Sequence, residues 1–201
     1  MLLSQQPSGK ATGPDRVSFE LLKQSYGVIH HILFMILYTC FVYKVCPSSW
    51  RDSHQIPLYK GKGGHQDPGA YRGINLLSSV RKLYSGILER RLSEWAEYYK
   101  LPDSQFGFRR NKSTIQAVSL LRSRFQQLKV IVNLFMQFFE KAFDRIDRSI
   151  LFMKLYKLGV SSNFLQVSWA ITRENFIRIA TRGVLSDQIR QNIGVLQGDK
   201  L

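Results

Sequence analysis

The stretch SVRKLYSGILERRLSEWAEYY, residues 79–99, anchors the reading of the fold. Val80, Leu83, Tyr84, Ile87, Leu88, Leu92, Trp95 and Tyr99 recur at spacings of three and four, which lines them along one side of an α-helix. Arg81, Lys82, Arg90 and Arg91 fall on the other face, and Pro102 ends the helix. Upstream, a turn at Asp67-Pro68-Gly69 and a basic loop, Gly61-Lys62-Gly63-Gly64, follow a short extended stretch that ends in Pro57-Leu58-Tyr59-Lys60. Before that, a helix from about Val28 to Val45 stops at Cys46-Pro47, because proline disfavours helix in the residue ahead of it. Its apolar run, Ile32 to Tyr43, is shorter than the roughly 20 residues of a membrane span and reads as a buried helix. At the start of the chain Gly13-Pro14-Asp15 makes a turn, with Asp15 placed to cap a helix carrying Val17, Leu21 and Leu22.

Downstream, Ser113 or Thr114 caps a helix through Ile115, Val118, Leu121, Arg122 and Phe125. Residues 130–139, VIVNLFMQFF, have the β-branched and aromatic content of a buried strand. Asp147 caps a helix that closes at Gly159, and Ser162 caps another. Residues 176–180 and 187–195, joined through Arg182-Gly183, read as a hairpin. Helices and strands mix without regular βαβ repetition, so the fold class is α+β.

Charge narrows the partners. The 201 residues include 29 Lys plus Arg against 14 Asp plus Glu, a net +15, while a 44% hydrophobic content is enough for a sizeable core. Such a surplus fits nucleic acid, an acidic membrane or simply a basic surface, because each neutralised phosphate releases condensed counterion. Of these the membrane is weakest, since the segment from Ile32 to Tyr43 has no basic amphipathic face. Two cysteines, Cys40 and Cys46, make no disulfide framework, and together with His30, His31 and His54 they fit no standard zinc spacing. The N-terminus lacks the apolar core of a secretory signal, so an intracellular setting, cytoplasm or nucleus, is expected.

Six collinear segments carry more information than periodicity does: GKATGPD (9–15), PSSWRDSHQIPLYKGKG (47–63), YRGINLLSSVRKLYSGILERRL (71–92), QFGFRRNKSTIQA (105–117), EKAFDRIDR (140–148) and GVLQGDKL (194–201). Together they resemble the reverse transcriptase domain of LINE-like retrotransposons without long terminal repeats. The resemblance implies one continuous fragment of a right-hand polymerase truncated before the thumb. Residues 1–129 would form a mostly helical, fingers-like region with a basic loop at 60–72, and residues 130–201 a partial palm. It implies an RNA template, a DNA primer and deoxynucleoside triphosphate as partners, and Mg²⁺ as the family's cofactor. It leaves the oligomeric state open.

The same resemblance assigns residues. Lys60 and Arg72, on either side of the Gly-rich loop, would grip the triphosphate of the incoming nucleotide, a forked guanidinium suiting such an anion. Gln197 would line the nucleotide pocket, Gly198 would let backbone approach it, and Phe143 would stand against the sugar. Phe106, Gly107, Phe108, Arg109, Arg110 and Lys112 interleave aromatic and basic side chains beside the template, with one or both phenylalanines buried and the arginines on phosphate. Read from composition alone, the loop is more simply a solvated basic loop, the two phenylalanines a core pair and Gln-Gly a turn.

One residue breaks the pattern. The resemblance requires a metal-binding Asp three residues before Lys141, and the chain has Phe138 there. A phenyl ring cannot ligate Mg²⁺. Glu140 points to the same side of an extended strand, but near-octahedral Mg²⁺ tolerates a displaced ligand poorly. The family's Asp-Asp pair is also absent from the sequence. Two functions of different class therefore stand: a fragment of an RNA-directed DNA polymerase that binds but does not catalyse, or a non-catalytic basic nucleic-acid-binding protein descended from one.

Overall fold

The computed structural model describes residues 2–98, 101–128 and 141–201. The chain clusters into two compact units, residues 1–88 with 141–201, and residues 89–140.

The first unit is built on a sheet. Strand β1 (Asp52–Tyr59) pairs antiparallel with β2 (Tyr71–Leu76) in the register Leu58 opposite Arg72 and Gln55 opposite Asn75. On its other side β1 runs parallel to β3 (Asn175–Thr181), Asp52 opposite Phe176. The expected hairpin follows β3. Arg182 and Gly183, both at positive φ, form the two-residue turn into β4 (Val184–Leu185), and β5 (Ile189–Gln191) returns along β3. The registers Ala180 opposite Leu185 and Ile177 opposite Ile189 differ by one residue. Ser186 takes up that residue: its N–H donates to the Ile179 carbonyl, and its Oγ accepts from the Ile179 N–H.

Helices pack beside the sheet. α1 (Phe19–Gln24) is capped by Ser18, whose Oγ accepts from the Leu21 N–H. The expected cap, Asp15, instead accepts from the Val17 N–H two residues on and so closes the turn before the helix. α2 (Tyr26–Tyr43) ends at Lys44 in a left-handed conformation, three residues before Pro47. α3 begins at Ser79 and runs to Tyr98, crossing from the first unit into the second. α4 (Thr114–Leu128) lies in the second unit and opens with a reciprocal capping box, the Ser113 Oγ accepting from the Gln116 N–H and the Gln116 side chain accepting from the Ser113 N–H. α5 (Arg148–Lys157) is capped by Asp147 and closed by Gly159 at φ +92°, as the sequence indicated. α6 (Ser162–Thr172) is capped by Ser161, one residue earlier than expected. The strand expected over 130–139 lies outside the described residues.

Two apolar clusters hold the first unit together. Trp50, Tyr84, Leu88, Val167, Ile171 and Cys40 form one, with the Trp50 and Tyr84 rings 5.5 Å apart. Leu3, Phe19, Leu22, Leu33 and Leu83 form the other.

The reading of α2 as a buried helix is corrected. Leu33 and Cys40 face the core, but Val28 is 84% exposed, Ile32, Phe34, Met35 and Tyr43 are exposed too, and only 11% of the helix is buried. The helix also takes in Tyr26 to His31, so by length and composition it is long and apolar enough to cross a membrane, against the length argument made from Ile32–Tyr43 alone. A helix apolar all round has no face that sequence can assign to the core, and here one narrow side is packed while the rest is not.

Candidate nucleotide and nucleic-acid site

The β1–β2 pair and its connecting loop set out the cations. Side chains alternate across a strand, so Ser53, Gln55, Pro57 and Tyr59 share one face with Asn75, Gly73 and Tyr71. The loop leans on that face: Tyr59 stacks on His65 at 4.4 Å and donates to the Gly63 carbonyl, and Tyr71 donates to the His65 carbonyl. Ile56, Leu58 and Arg72 occupy the opposite, exposed face. Lys60 extends that face, because its N–H continues the ladder to the Ala70 carbonyl. Lys60 and Arg72 are thus diagonal neighbours across an antiparallel pair, about 7–8 Å apart between Cα atoms. Lys60 Nζ donates to the Gly69 carbonyl at 2.7 Å, and an ammonium with three donors keeps two for an anion.

The Gln-Gly segment reaches the same strand. The Asn75 N–H donates to the Gln197 carbonyl at 2.8 Å, and Asn75 Nδ2 approaches the same oxygen at 3.4 Å. Asn75 lies three residues after Arg72, about 10 Å along β2. Gly198 has φ +123°, and a Cβ there would stand 2.6 Å from the Asn75 carbonyl oxygen. Its glycine is therefore demanded by close packing on β2. Phe143 joins from the other side: its carbonyl accepts from the Val195 N–H at 2.9 Å, while the Ile146 carbonyl accepts from Gly194 at 2.8 Å. Arg72 lies on β2, Gln197 and Gly198 pack against it, Phe143 bonds the strip 194–198 beside it, and Lys60 bonds Gly69 and Ala70 just ahead of β2.

Beneath this strip lies a group that sequence reasoning misplaced. Arg81 does not sit on a solvated face: its side chain is 1% exposed and bonds Asp199, itself 5% exposed, through Nε and Nη2 at 3.1 and 2.9 Å. Nη1 donates to the Trp50 carbonyl and to Asn175 Oδ1. One buried guanidinium thereby joins α3, the turn before β1, the start of β3 and the Gln-Gly strip. A signal was present, since Arg81, Tyr84, Ser85 and Leu88 follow the i, i+3, i+4, i+7 spacing of a buried stripe. Neighbouring Lys200 donates to Gln6 at 2.7 Å and covers Gly86, where a Cβ would press on its stem. Lys82, half-buried beside Asp199 and Lys200, has its ammonium pKa lowered, chiefly by burial.

In the second unit the basic-aromatic segment differs from its expected arrangement. Arg109 is spent internally, its side chain 10% exposed, with Nε and Nη2 on the Glu97 carboxylate and Nη1 on the Leu101 and Pro102 carbonyls. The pairing holds the Glu97 carboxyl below its ordinary range and raises Arg109. A guanidinium with all three nitrogens bonded to its own chain is a staple between α3 and the loop after it. Phe106 is partly buried with the Lys112 ammonium 5.3 Å from its ring, and Lys112 also nears Asp103 at 3.5 Å. Phe108 is 97% exposed at φ +60°, contrary to a core role, while Gly107 and Arg110 are exposed.

No three His, Cys, Asp or Glu converge among the described residues, and Asp199, the acid nearest the Gln-Gly strip, is committed to Arg81. Asp144 is exposed in the turn beside Gly194. Phe138 and Glu140 lie outside the described residues.

Comparison with known proteins identifies the family. The family described as reverse transcriptase (RNA-dependent DNA polymerase) matches residues 60–201. A probable RNA-directed DNA polymerase from transposon BS of Drosophila melanogaster is 31% identical over 172 residues, covering 80% of this chain and 19% of the relative. A retrovirus-related Pol polyprotein from the type-1 retrotransposable element R1 of Bradysia coprophila is 28% identical over 149 residues, covering 73% of this chain and 15% of the relative. The chain thus spans less than a fifth of the length of these curated relatives. With a family match over residues 60–201, this chain belongs to the reverse transcriptase family, and its relatives are RNA-directed DNA polymerases of retrotransposons.

Proposed function

We propose that the chain binds a deoxynucleoside triphosphate and the template–primer duplex of an RNA-directed DNA polymerase, and that it does not by itself copy the template. The observation that carries this reading is the convergence on β2: Lys60 and Arg72 on one exposed face, and Gln197 bonded to the same strand three residues further on. The cations receive the triphosphate, Gln197 and Gly198 border the base and sugar, and Phe143 lies beside the deoxyribose. Residues 1–129 act as fingers and 130–201 as part of the palm. The template lies along a basic surface that includes Arg110 and Lys112, with exposed Phe108 offering a ring to a base. Arg109 serves there as a staple.

Lack of catalysis follows from Phe138. Metal-assisted transfer activates the primer hydroxyl and neutralises the leaving pyrophosphate, and a phenyl ring at a required carboxylate position removes a ligand for the ion. The test is template-directed primer extension with Mg²⁺ or Mn²⁺, run beside binding of labelled primer–template over a salt series. The reading expects no extension and an affinity that falls steeply with salt. Extension above background, or no detectable duplex binding at low salt, overturns it.

A further inference from the structure

We infer that Arg81 and Asp199 form a buried positioning pair that holds the Gln197–Gly198 backbone against β2 in the geometry the nucleotide needs. The inference rests on the nucleotide reading of that strip. A turn that only had to be closed would not need a buried charge: ionised pairs are costly to desolvate, and apolar residues of similar volume often serve stability equally well. The pair here is almost fully buried, and Asp199 is directly bonded to the strip it would hold, one residue beyond Gly198. The guanidinium is fixed in turn by the Trp50 carbonyl and by Asn175, whose amide donates to the Thr172 carbonyl at 3.1 Å. Asp199 Oδ1 accepts from the Lys200 N–H, so the carboxylate is oriented as well as neutralised. From Asp199 the chain passes through Gly198 to Gln197, whose carbonyl takes the Asn75 N–H. The pair thus ties the strip to α3 and β3, while Asn75 ties it to β2. Two fixed ends on so short a segment leave its peptide groups little freedom, which is the preorganisation a binding site needs.

The experiment separates positioning from mere stability by replacing both charges with apolar residues of similar volume, Arg81→Met with Asp199→Leu, so that neither charge is left buried and unpaired, and by reading the strip against a distant reference. Two readouts are taken on the intact chain: amide hydrogen exchange at Asn75, referenced to amides of α6, and the Kd for a deoxynucleoside triphosphate. Positioning predicts exchange at Asn75 at least tenfold faster with α6 unchanged, and a nucleotide Kd raised at least tenfold. Both readouts within twofold of the parent overturn the inference. If the parent itself binds no nucleotide, the nucleotide reading fails separately, and Asn75 exchange alone decides whether the pair holds the strip. If the double variant does not fold, Asp199→Asn is read by the same two criteria.

Discussion

Gly198→Ala puts a number on the contact that brings the Gln-Gly strip to β2. Two costs can be worked from the geometry. A φ of +123° lies in a region that side chains rarely adopt, worth about 1–3 kcal/mol. The added Cβ would also stand 2.6 Å from a backbone oxygen of Asn75, which cannot rotate away as a side-chain tip could. Relief requires the strip to move off β2, and that breaks the 2.8 Å bond from the buried Asn75 N–H to Gln197, orphaning a donor at about 1–3 kcal/mol. The combined loss is about 2–6 kcal/mol, a large share of the 5–15 kcal/mol typical of a folded domain. Urea unfolding followed by fluorescence suits the measurement, because Trp50 sits in the core against Tyr84. With slopes of about 1–3 kcal/mol/M, the midpoint should fall by at least about 0.7 M. Gly9→Ala is the control: φ is +70° but no atom lies within 4 Å of its Cβ, so only the backbone cost of about 1–2 kcal/mol applies. If Gly198→Ala costs no more than Gly9→Ala, the close approach to β2 does not constrain the strip and the argument fails.

Three further outcomes are expected. Glu97 is held below its ordinary value of 4.5 by Arg109, so the unfolded chain takes up its proton first; the staple's contribution is complete above pH 4.5 and is lost as pH falls through the lower folded value. Limited proteolysis of residues 101–113 should therefore quicken under acid, and a rate in Glu97→Gln that still accelerates equally would contradict this. Burial pushes the Cys46 thiol up to about 11, which leaves roughly one part in a thousand as thiolate at pH 8, so alkylation of the folded chain should be far slower than of the urea-unfolded chain; equal rates would refute it. Ile32→Glu, on the uncovered side of α2, should leave the urea midpoint almost unchanged, whereas a loss above about 2 kcal/mol would mean that the residue is packed.

What sequence conveyed depended on the range of the interaction. Asp147, Gly159 and the Arg182-Gly183 turn were legible because caps and tight turns are settled by neighbours a few residues apart. The parallel pairing of β1 with β3 was not, since residues 52 and 176 are 124 positions apart, with α3 to α6 among the described residues between them. Arg81 was misread by the habit of sending every charge outward, although its spacing from Tyr84 and Leu88 marked it as buried and Asp199 supplied the partner. Arg109 shows the opposite limit. Its motif looked like a phosphate contact, and nothing local announced that Glu97, twelve residues earlier, would claim it. α2 was ambiguous in principle, because an apolar surface has no orientation until its surroundings are known.

The central claim is that β2 gathers a nucleotide site, and titration of the chain with a deoxynucleoside triphosphate in parallel with Arg72→Ala tests it most directly. Arg72 is exposed and makes no ion pair among the described residues, so its loss should spare the fold while weakening nucleotide binding about tenfold, in line with loss of a charge-assisted hydrogen bond. Saturable binding by the parent, reduced in the variant at an unchanged unfolding midpoint, is the predicted result; equal affinities in the two proteins, or none in either, would contradict it.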